Sequence, residues 1–211
     1  YFKYKEKYMT KNFGIIDYGC GNIHSLKCAL QKIGGNVRIL FDDKIENIDA
    51  LFIPGVGSFN NAIEKLSKKR LDVLIKEYNK ENKLIIGICL GMQILLDKGF
   101  ENYPCEGLNL IKGQTYKLAY NQNQKKINIG WKKTTFNDAK NLNQFNNEKF
   151  YYVHSYAVNV EKKNIYSTSF FNDKNFISGI RKNNLIAFQF HPEKSGNLGL
   201  DLLDTVTTKF I

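Results

Sequence analysis

One segment constrains the fold of this chain more than any other, the apolar run KLIIGICLGMQ at 83–93. It predicts a buried strand that ends in GICLG, with Cys89 at the centre, and a helix that begins directly afterwards in LGMQILLDKG. Strand, tight turn and helix in this order define the nucleophile elbow G-x-S-x-G, in which glycines let a strained turn pack closely. The segment therefore predicts an elbow that carries cysteine in place of serine.

The sequence alone allows two interpretations of Cys89. A free cysteine next to an apolar strand is often only a small buried residue. In an elbow, however, the N-terminus of the following helix favours the thiolate, which is the nucleophilic form of cysteine. The coincidence of strand, GxCxG and helix start favours the nucleophile.

Strand-like and helix-like segments alternate in the first half of the chain, which indicates a parallel sheet covered by helices on both faces. After residue 100 strand-like segments dominate, and a closing helix is predicted at 196–210. The sequence thus predicts an α/β fold of three layers, with a central, mostly parallel sheet and additional strands in the second half. The segments are the strands FGIIDY, NVRIL, ALFIPG and KLIIGIC, the helix NIHSLKCALQKI, one or two helices in 59–81, and the later strands QTYKLAY, KFYYVHSYAVNV, FISGIR and NLIAFQF.

The length of 211 residues suits one domain. We predict that this domain covers 13–211 and follows an N-terminal leader or extension, 1–12, which lacks the apolar stretch of a secretory signal. No apolar run approaches the ~18 residues of a membrane span, so no membrane association is expected and the cytoplasm is the predicted location.

Charge, cysteine and histidine content argue against several functions. The net charge of +11 comes from lysines scattered in short groups, which predicts a solvated basic surface and no nucleic-acid site. The four cysteines form no CxxC pair and are expected to be reduced thiols. The three histidines lie far apart and no HExxH occurs, so no metal site is predicted.

A cysteine nucleophile needs a base and a group that orients the base, and FQFHPEKS at 188–195 contains candidates for both. His191 follows an apolar strand, Glu193 comes two residues later, and Pro192 restricts the backbone between them. We predict that His191 is the base and Glu193 its orienting carboxylate. Taken alone, the pattern also fits a solvated turn.

A third segment, IPGVGSF at 53–59, is typical of a strand that ends in a glycine turn before a helix capped by Ser58. Glycines allow backbone N–H groups to point into a cleft, where they can stabilise an oxyanion. Taken alone, the segment fits an ordinary tight turn equally well.

Together, PGVGSF, GICLGMQ and FQFHPEKS resemble the class I glutamine amidotransferases of the triad type in their order and spacing. IIDYGCGNIHSL, IGW and YYVHSYAV add a resemblance to the glutaminase subunits of imidazole glycerol phosphate synthases, which extends over residues 13–210. The resemblance implies the three-layer class I glutaminase fold, hydrolysis of L-glutamine, and no metal or organic cofactor.

The resemblance also implies roles for individual residues. Cys89, His191 and Glu193 match the catalytic triad of the family. The other matches are the oxyanion-hole amides of Val56 and Leu90, the glutamine-pocket positions Gly55, Gly57, Gln93, His154, Ser155 and Tyr156, and the partner-facing positions Asn22 and Trp131.

The implied partner is a synthase subunit that receives the ammonia, in the first place the cyclase subunit of a heterodimer. The family usually has Pro-His upstream of Trp131 and Asn after it, whereas this chain has Ile127-Asn128 and Lys132. We expect these positions to face the partner and not the glutamine. Two alternatives therefore remain, a glutaminase that supplies a sugar-amidating or amidinating enzyme of surface-glycan biosynthesis, and an inactive binding module.

Overall fold

The computed structural model describes residues 10–41, 46–137 and 142–211. The α-helices described over their full extent are α1 (Ile23–Lys32), α2 (Phe59–Lys68), α3 (Leu71–Lys80), α4 (Leu90–Gln93) and α5 (Gly196–Phe210). The strands of the described residues are β1 (Asn12–Ile16), β2 (Asn36–Leu40), β3 (Ala50–Ile53), β4 (Leu84–Ile88), β5 (Leu96–Gly99), β6 (Cys105–Glu106), β7 (Ile111–Lys117), β8 (Asn128–Phe136), β9 (Glu148–His154), β10 (Tyr156–Val160), β11 (Ile165–Phe171), β12 (Lys174–Lys182) and β13 (Leu185–Phe188).

The centre of the molecule is a sheet in which five neighbouring strands run parallel, in the order β2-β1-β3-β4-β13. β3 and β4 bury every residue, because their alternate side chains pack into separate cores on the two faces of the sheet. Helices α1 and α5 cover one face, and α2 and α3 cover the other. The predicted three-layer α/β architecture with a mostly parallel central sheet is confirmed.

The second half of the chain adds antiparallel strands to this sheet. β12 pairs with β13, and β10 and β7 follow β12 outward. A second branch, β11-β8-β9, extends from β12. The segment predicted as one strand at 149–160 is divided at Ser155 into β9 and β10. β13 is thereby held between β4 and β12, which brings FQFHPEKS next to the end of β4.

The helix predicted in LGMQILLDKG is wrong over most of its length. Helix α4 ends at Gln93 after one turn, and residues from Leu96 onward form strand β5, which pairs with β6 and β7. The run from Met92 to Leu96 is buried throughout. With Gln93 as its one polar residue, this run has no polar helical face, so its pattern fits a buried strand as well as a helix.

The structure defines two element boundaries that the sequence pattern gives only approximately, the junction between α2 and α3 and the start of β1. The predicted helical region 59–81 contains two helices, which meet at Arg70 in the left-handed conformation with φ 57°. Strand β1 begins at Asn12, and residues 1–9 of the predicted leader lie outside the described part of the chain. Among the described helices, none combines the length and the apolar character needed to cross a bilayer.

Candidate active site

Cys89 lies at the sharp turn between β4 and α4, as the elbow pattern predicted. Its φ of 55° and ψ of −111° lie in a region that L-residues rarely adopt, which costs on the order of 1–3 kcal/mol. The turn is fixed by the Cys89 N–H, which donates a 2.7 Å hydrogen bond to the carbonyl of Phe188 at the end of β13. A Cβ at Gly91 would overlap the carbonyl oxygen of Ile53, so only glycine fits there.

His191 and Glu193 form a buried pair directly after β13. The Nδ1–H of His191 donates a 2.8 Å hydrogen bond to Oε1 of Glu193, and the two side chains are 2% and 4% exposed. The His191 N–H donates to the carbonyl of Tyr151, while Pro192 begins a 3₁₀ turn that carries Glu193. The opposite ring atom, Nε2, is buried without a hydrogen-bond partner among the described residues. It is therefore the ring atom that can exchange a proton with a group outside the pair.

The electrostatic environment of His191 favours its charged form. Burial lowers the pKa of the imidazole, but interactions with Cys89 and with Glu193 outweigh this effect and raise the pKa to about 10. An imidazolium between a carboxylate and a thiolate is the charge arrangement that a cysteine nucleophile and its base require.

The glycine turn after β3 packs directly against the elbow. The Tyr18 O–H donates a 2.7 Å hydrogen bond to the carbonyl of Pro54, which anchors the start of the turn. A Cβ at Gly55 would overlap the Tyr18 hydroxyl and lie 2.8 Å from the Cβ of Leu90. Gly57 has a φ of 111°, a conformation that favours glycine.

A pocket of about 250 Å³ opens next to Cys89. All of the predicted pocket and oxyanion residues except Gly55 border it, and Gly55 packs close to Leu90. His191 and Glu193 approach Cys89 from the β13 side and are not part of the lining. The lining consists of Val56, Gly57, Cys89, Leu90, Gln93, Glu101, Val153, His154, Ser155 and Tyr156.

Two residues near Cys89 were not predicted from the sequence. Glu101 borders the pocket and accepts a 2.8 Å hydrogen bond from the Phe59 N–H at the start of α2. Gln189 is buried beside the sulfur of Cys89. The sequence pattern does not indicate Glu101, because it predicts a helix over 90–99 and no spacing rule connects a residue beyond that helix to the elbow.

Asn128 corrects the expectation that the segment around Trp131 faces only the partner. Its side chain is completely buried, and Nδ2 donates a 2.8 Å hydrogen bond to Nε2 of His154. The His154 Nδ1–H donates to the carbonyl of Tyr156 at 2.8 Å, because that oxygen can only accept. Asn128 therefore holds a neutral His154 at the wall of the pocket, and strand β8 reaches the pocket side as well as the surface.

We predict that the free energy of unfolding falls as the pH is lowered from about 6.5 to about 4. Burial lowers the pKa of His154 from 6.5 to about 4. Between these two pH values the unfolded chain therefore binds a proton at this residue and the folded chain does not. The resulting decrease in the free energy of unfolding from His154 is about 3 kcal/mol. His191 acts weakly in the opposite direction near pH 7, because its raised pKa keeps it protonated in the folded chain while the unfolded chain is still gaining its proton. This contribution is the same in the native chain and in the control variant below. Urea unfolding at pH 7 and pH 4 measures the effect.

The matched control for this prediction is His154→Gln, which keeps a polar side chain but does not titrate. The variant should lose about 3 kcal/mol less than the native chain between the two pH values. An equal loss in both proteins would assign the acid sensitivity to carboxylates and contradict the role of His154.

The two predicted partner-facing residues lie outside the pocket lining. Asn22 caps α1, where its side chain accepts a 3.1 Å hydrogen bond from the Ser25 N–H. Trp131 is 51% exposed and contacts the ring of Tyr151 edge-to-face. Their contact with a partner stays a prediction. In the described part of the chain, no group of three or more His, Cys, Asp and Glu side chains could hold a metal ion.

Comparison with known proteins assigns this fold and site to a family. Residues 14–205 match the family model described as glutamine amidotransferase class-I. The chain therefore belongs to the class-I glutamine amidotransferases and is a glutamine amidotransferase, and a triad with a cysteine nucleophile is general for this family.

Curated relatives match over nearly the full length. The protein named imidazole glycerol phosphate synthase subunit HisH from Bacillus subtilis is 36% identical over 202 residues, covering 92% of this chain and 94% of its own. The equally named protein from Caldanaerobacter subterraneus is 40% identical, covering 90% and 94%. The protein named subunit HisH 1 from Campylobacter jejuni is 38% identical, covering 90% and 96%.

Solved structures share the fold. The structure titled PurLQS from Thermotoga maritima superposes with a TM-score of 0.74 at 20% identity, over 95% of this chain and 99% of that one. A glutamine amidotransferase from the same organism superposes with a TM-score of 0.65 at 15% identity, over 96% and 84%.

Proposed function

We propose that this chain is the glutaminase subunit of an imidazole glycerol phosphate synthase. It hydrolyses L-glutamine to glutamate and ammonia, and it passes the ammonia to a cyclase subunit in a cytoplasmic heterodimer that serves histidine biosynthesis. The observation that carries the proposal is the convergence of Cys89 with the buried His191–Glu193 pair at the ends of β4 and β13, next to a small pocket.

The first half of the reaction uses the elbow cysteine. The thiol of Cys89 gives its proton to Nε2 of His191, and the sulfur attacks the side-chain amide carbon of glutamine. The backbone amides of Val56 and Leu90 stabilise the oxyanion of the tetrahedral intermediate. His191 then protonates the amide nitrogen, ammonia leaves and a thioester remains.

The second half reverses the proton path. His191 takes a proton from water, the hydroxide attacks the thioester carbon, and glutamate leaves as the thiol is restored. Glu193 holds the imidazole by its Nδ1–H bond in both halves and stabilises its charge. Glutamine and water are thus converted to glutamate and ammonia, with no group added from outside.

The pocket wall supports an amino acid as the substrate. The carboxylate of Glu101 lies at the pocket and suits the α-ammonium group of glutamine, whereas Gln93, His154, Ser155 and Tyr156 offer polar side-chain and backbone groups. A neutral His154 adds no positive charge to the pocket wall, so it does not offset the negative charge of the Glu101 carboxylate.

The names of the relatives favour the cyclase over a sugar-amidating partner. The histidine-pathway name belongs to relatives that span over nine-tenths of their own length in the match. An inactive binding module is disfavoured, because the strained elbow costs stability that a binding role alone would not require.

Glutamine hydrolysis measured alone, with the cyclase, and with the cyclase plus its acceptor substrate tests the proposal. We expect the cyclase with acceptor to accelerate hydrolysis by about 100-fold, the equivalent of ~3 kcal/mol for one oxyanion donor. The physical reason is that the Gly55–Val56 peptide, flanked by glycines, can rotate its N–H into or out of the site. Partner binding would shift that equilibrium.

The control is a sugar-amidating enzyme from the same organism in place of the cyclase. Acceleration by that enzyme and not by the cyclase would contradict the assignment to histidine biosynthesis. It would not contradict the assignment of glutaminase activity. An isolated chain that already hydrolyses glutamine at the rate of the complex would refute the gating of the oxyanion turn.

A further inference from the structure

Gln189 contacts the sulfur of the elbow cysteine, and the proposed reaction steps assign it no role. The residue follows β13 and is completely buried. Its side-chain Nε2 lies 3.6 Å from the Sγ of Cys89 in hydrogen-bond geometry. The main chain fixes this position, since the Gln189 N–H donates a 2.8 Å hydrogen bond to the carbonyl of Ser178 on β12.

The orientation of the Gln189 amide is determined by its neighbour Gln93. The Nε2 of Gln93 donates to the carbonyl of Tyr156 at 3.1 Å and to Oε1 of Gln189 at 3.0 Å. Because the Tyr156 oxygen only accepts, Gln93 must present its N–H groups on this side. The amide oxygen of Gln189 therefore faces Gln93, and its N–H group faces the sulfur.

The other polar neighbour of the sulfur has the opposite preference. The thiol of Cys89 can donate to the carbonyl of Val153, which lies 3.9 Å from Sγ. That contact favours the neutral thiol and becomes repulsive once the proton has left. The Gln189 N–H bond instead strengthens when the sulfur becomes negative, because a hydrogen bond to an ionised acceptor is stronger than one to a neutral acceptor.

We propose that Gln189 donates a hydrogen bond to the thiolate of Cys89, stabilises it, and holds the sulfur in the orientation for attack. This rests on the proposed function, in which Cys89 is the nucleophile. The proton of the thiol goes to Nε2 of His191, and Gln189 keeps its own protons throughout. The same bond stabilises the sulfur when the thioester collapses and the thiolate leaves.

The pH profile of cysteine alkylation tests this role. Gln189→Met keeps the length of the side chain and removes the donor. The pH midpoint for alkylation of Cys89 by iodoacetamide should rise by about one unit, which corresponds to one hydrogen bond to a charged group. The kcat for glutamine hydrolysis should fall about tenfold, with a smaller change in KM. Gln144→Met, on the exposed surface, is the matched control and should change neither.

A second variant distinguishes donation from packing. Gln189→Glu has the same size, and its carboxyl donates an O–H when protonated but repels a thiolate when ionised. The ratio of its alkylation rate to that of the native chain should be near one at low pH and should fall as the carboxyl ionises. If Gln189→Met does not fold, as judged by thermal unfolding, this variant decides the question.

The outcomes separate the two proposals. Alkylation of native protein at other cysteines and not at Cys89 would overturn the nucleophile assignment and this proposal with it. Alkylation at Cys89 with the same midpoint in native chain and folded variants would overturn the role of Gln189 alone.

Discussion

Replacing Cys89 with alanine should reduce glutamine hydrolysis by roughly 10⁶-fold, the size of loss typical for removal of a triad nucleophile. Neither the thioester nor any covalent substitute can form without the sulfur. Alanine keeps the Cβ, so the strained backbone of the elbow stays as it is and the fold should persist. Ammonia release and the thermal unfolding midpoint, measured on the same preparation, check both statements.

A glutamine analogue that carries an electrophile supplies the independent control. It should label Cys89 in the native chain and leave Cys89→Ala unlabelled. Labelling at Cys20, Cys28 or Cys105 instead would contradict the assignment.

Removal of His191 should reduce turnover more than removal of Glu193. We expect about 10⁶-fold for His191→Ala and about 10⁴-fold for Glu193→Ala, because the imidazole transfers protons in both half-reactions and the carboxylate only orients and stabilises it. Steady-state ammonia release from the folded fraction of each variant is the measurement.

Stability must be separated from chemistry in this comparison. His191→Ala leaves the 4% exposed carboxylate of Glu193 without its partner, which by itself destabilises the fold. His191→Gln keeps an N–H donor in that region and should be as inactive as the alanine variant while unfolding at a higher temperature. Equal or reversed losses at the two triad positions would contradict the division of labour between imidazole and carboxylate.

The sequence predicted those parts of the site that depend on local chain geometry. The glycines around Cys89 leave the turn only a few compatible conformations, so the residue pattern indicates an elbow. The step from His191 to Glu193 also fits a solvated turn, and it indicates a pair only together with the other two segments. The central strands could also be predicted from the sequence, because β3 and β4 are apolar at every position except Gly87 and are bounded by turns.

Other contacts depend on tertiary pairing, which local patterns do not encode. Asn128 was expected on the surface with its neighbours Ile127 and Ile129, which are exposed, but strand alternation on β8 turns it into the core. Gln189 alternates with two buried phenylalanines in FQFH, and only the docking of β13 beside β4 brings its amide to the sulfur. Strands β8 and β11 lack the uninterrupted apolar run that marks the central strands, so the sequence pattern does not single them out as strands.

The insertion of β13 beside β4 has a consequence for synthesis of the protein on the ribosome. Leu185 is the register partner of Ile85, so the elbow is translated long before the strand that supplies its base. A nascent chain that stops short of β13 carries Cys89 without His191 or Glu193 and leaves β4, with the apolar sequence LIIGI, as an open sheet edge. Such an edge invites pairing with other chains. Late arrival of β13 would thus close an aggregation-prone edge and bring His191 and Glu193 to Cys89 in the same event.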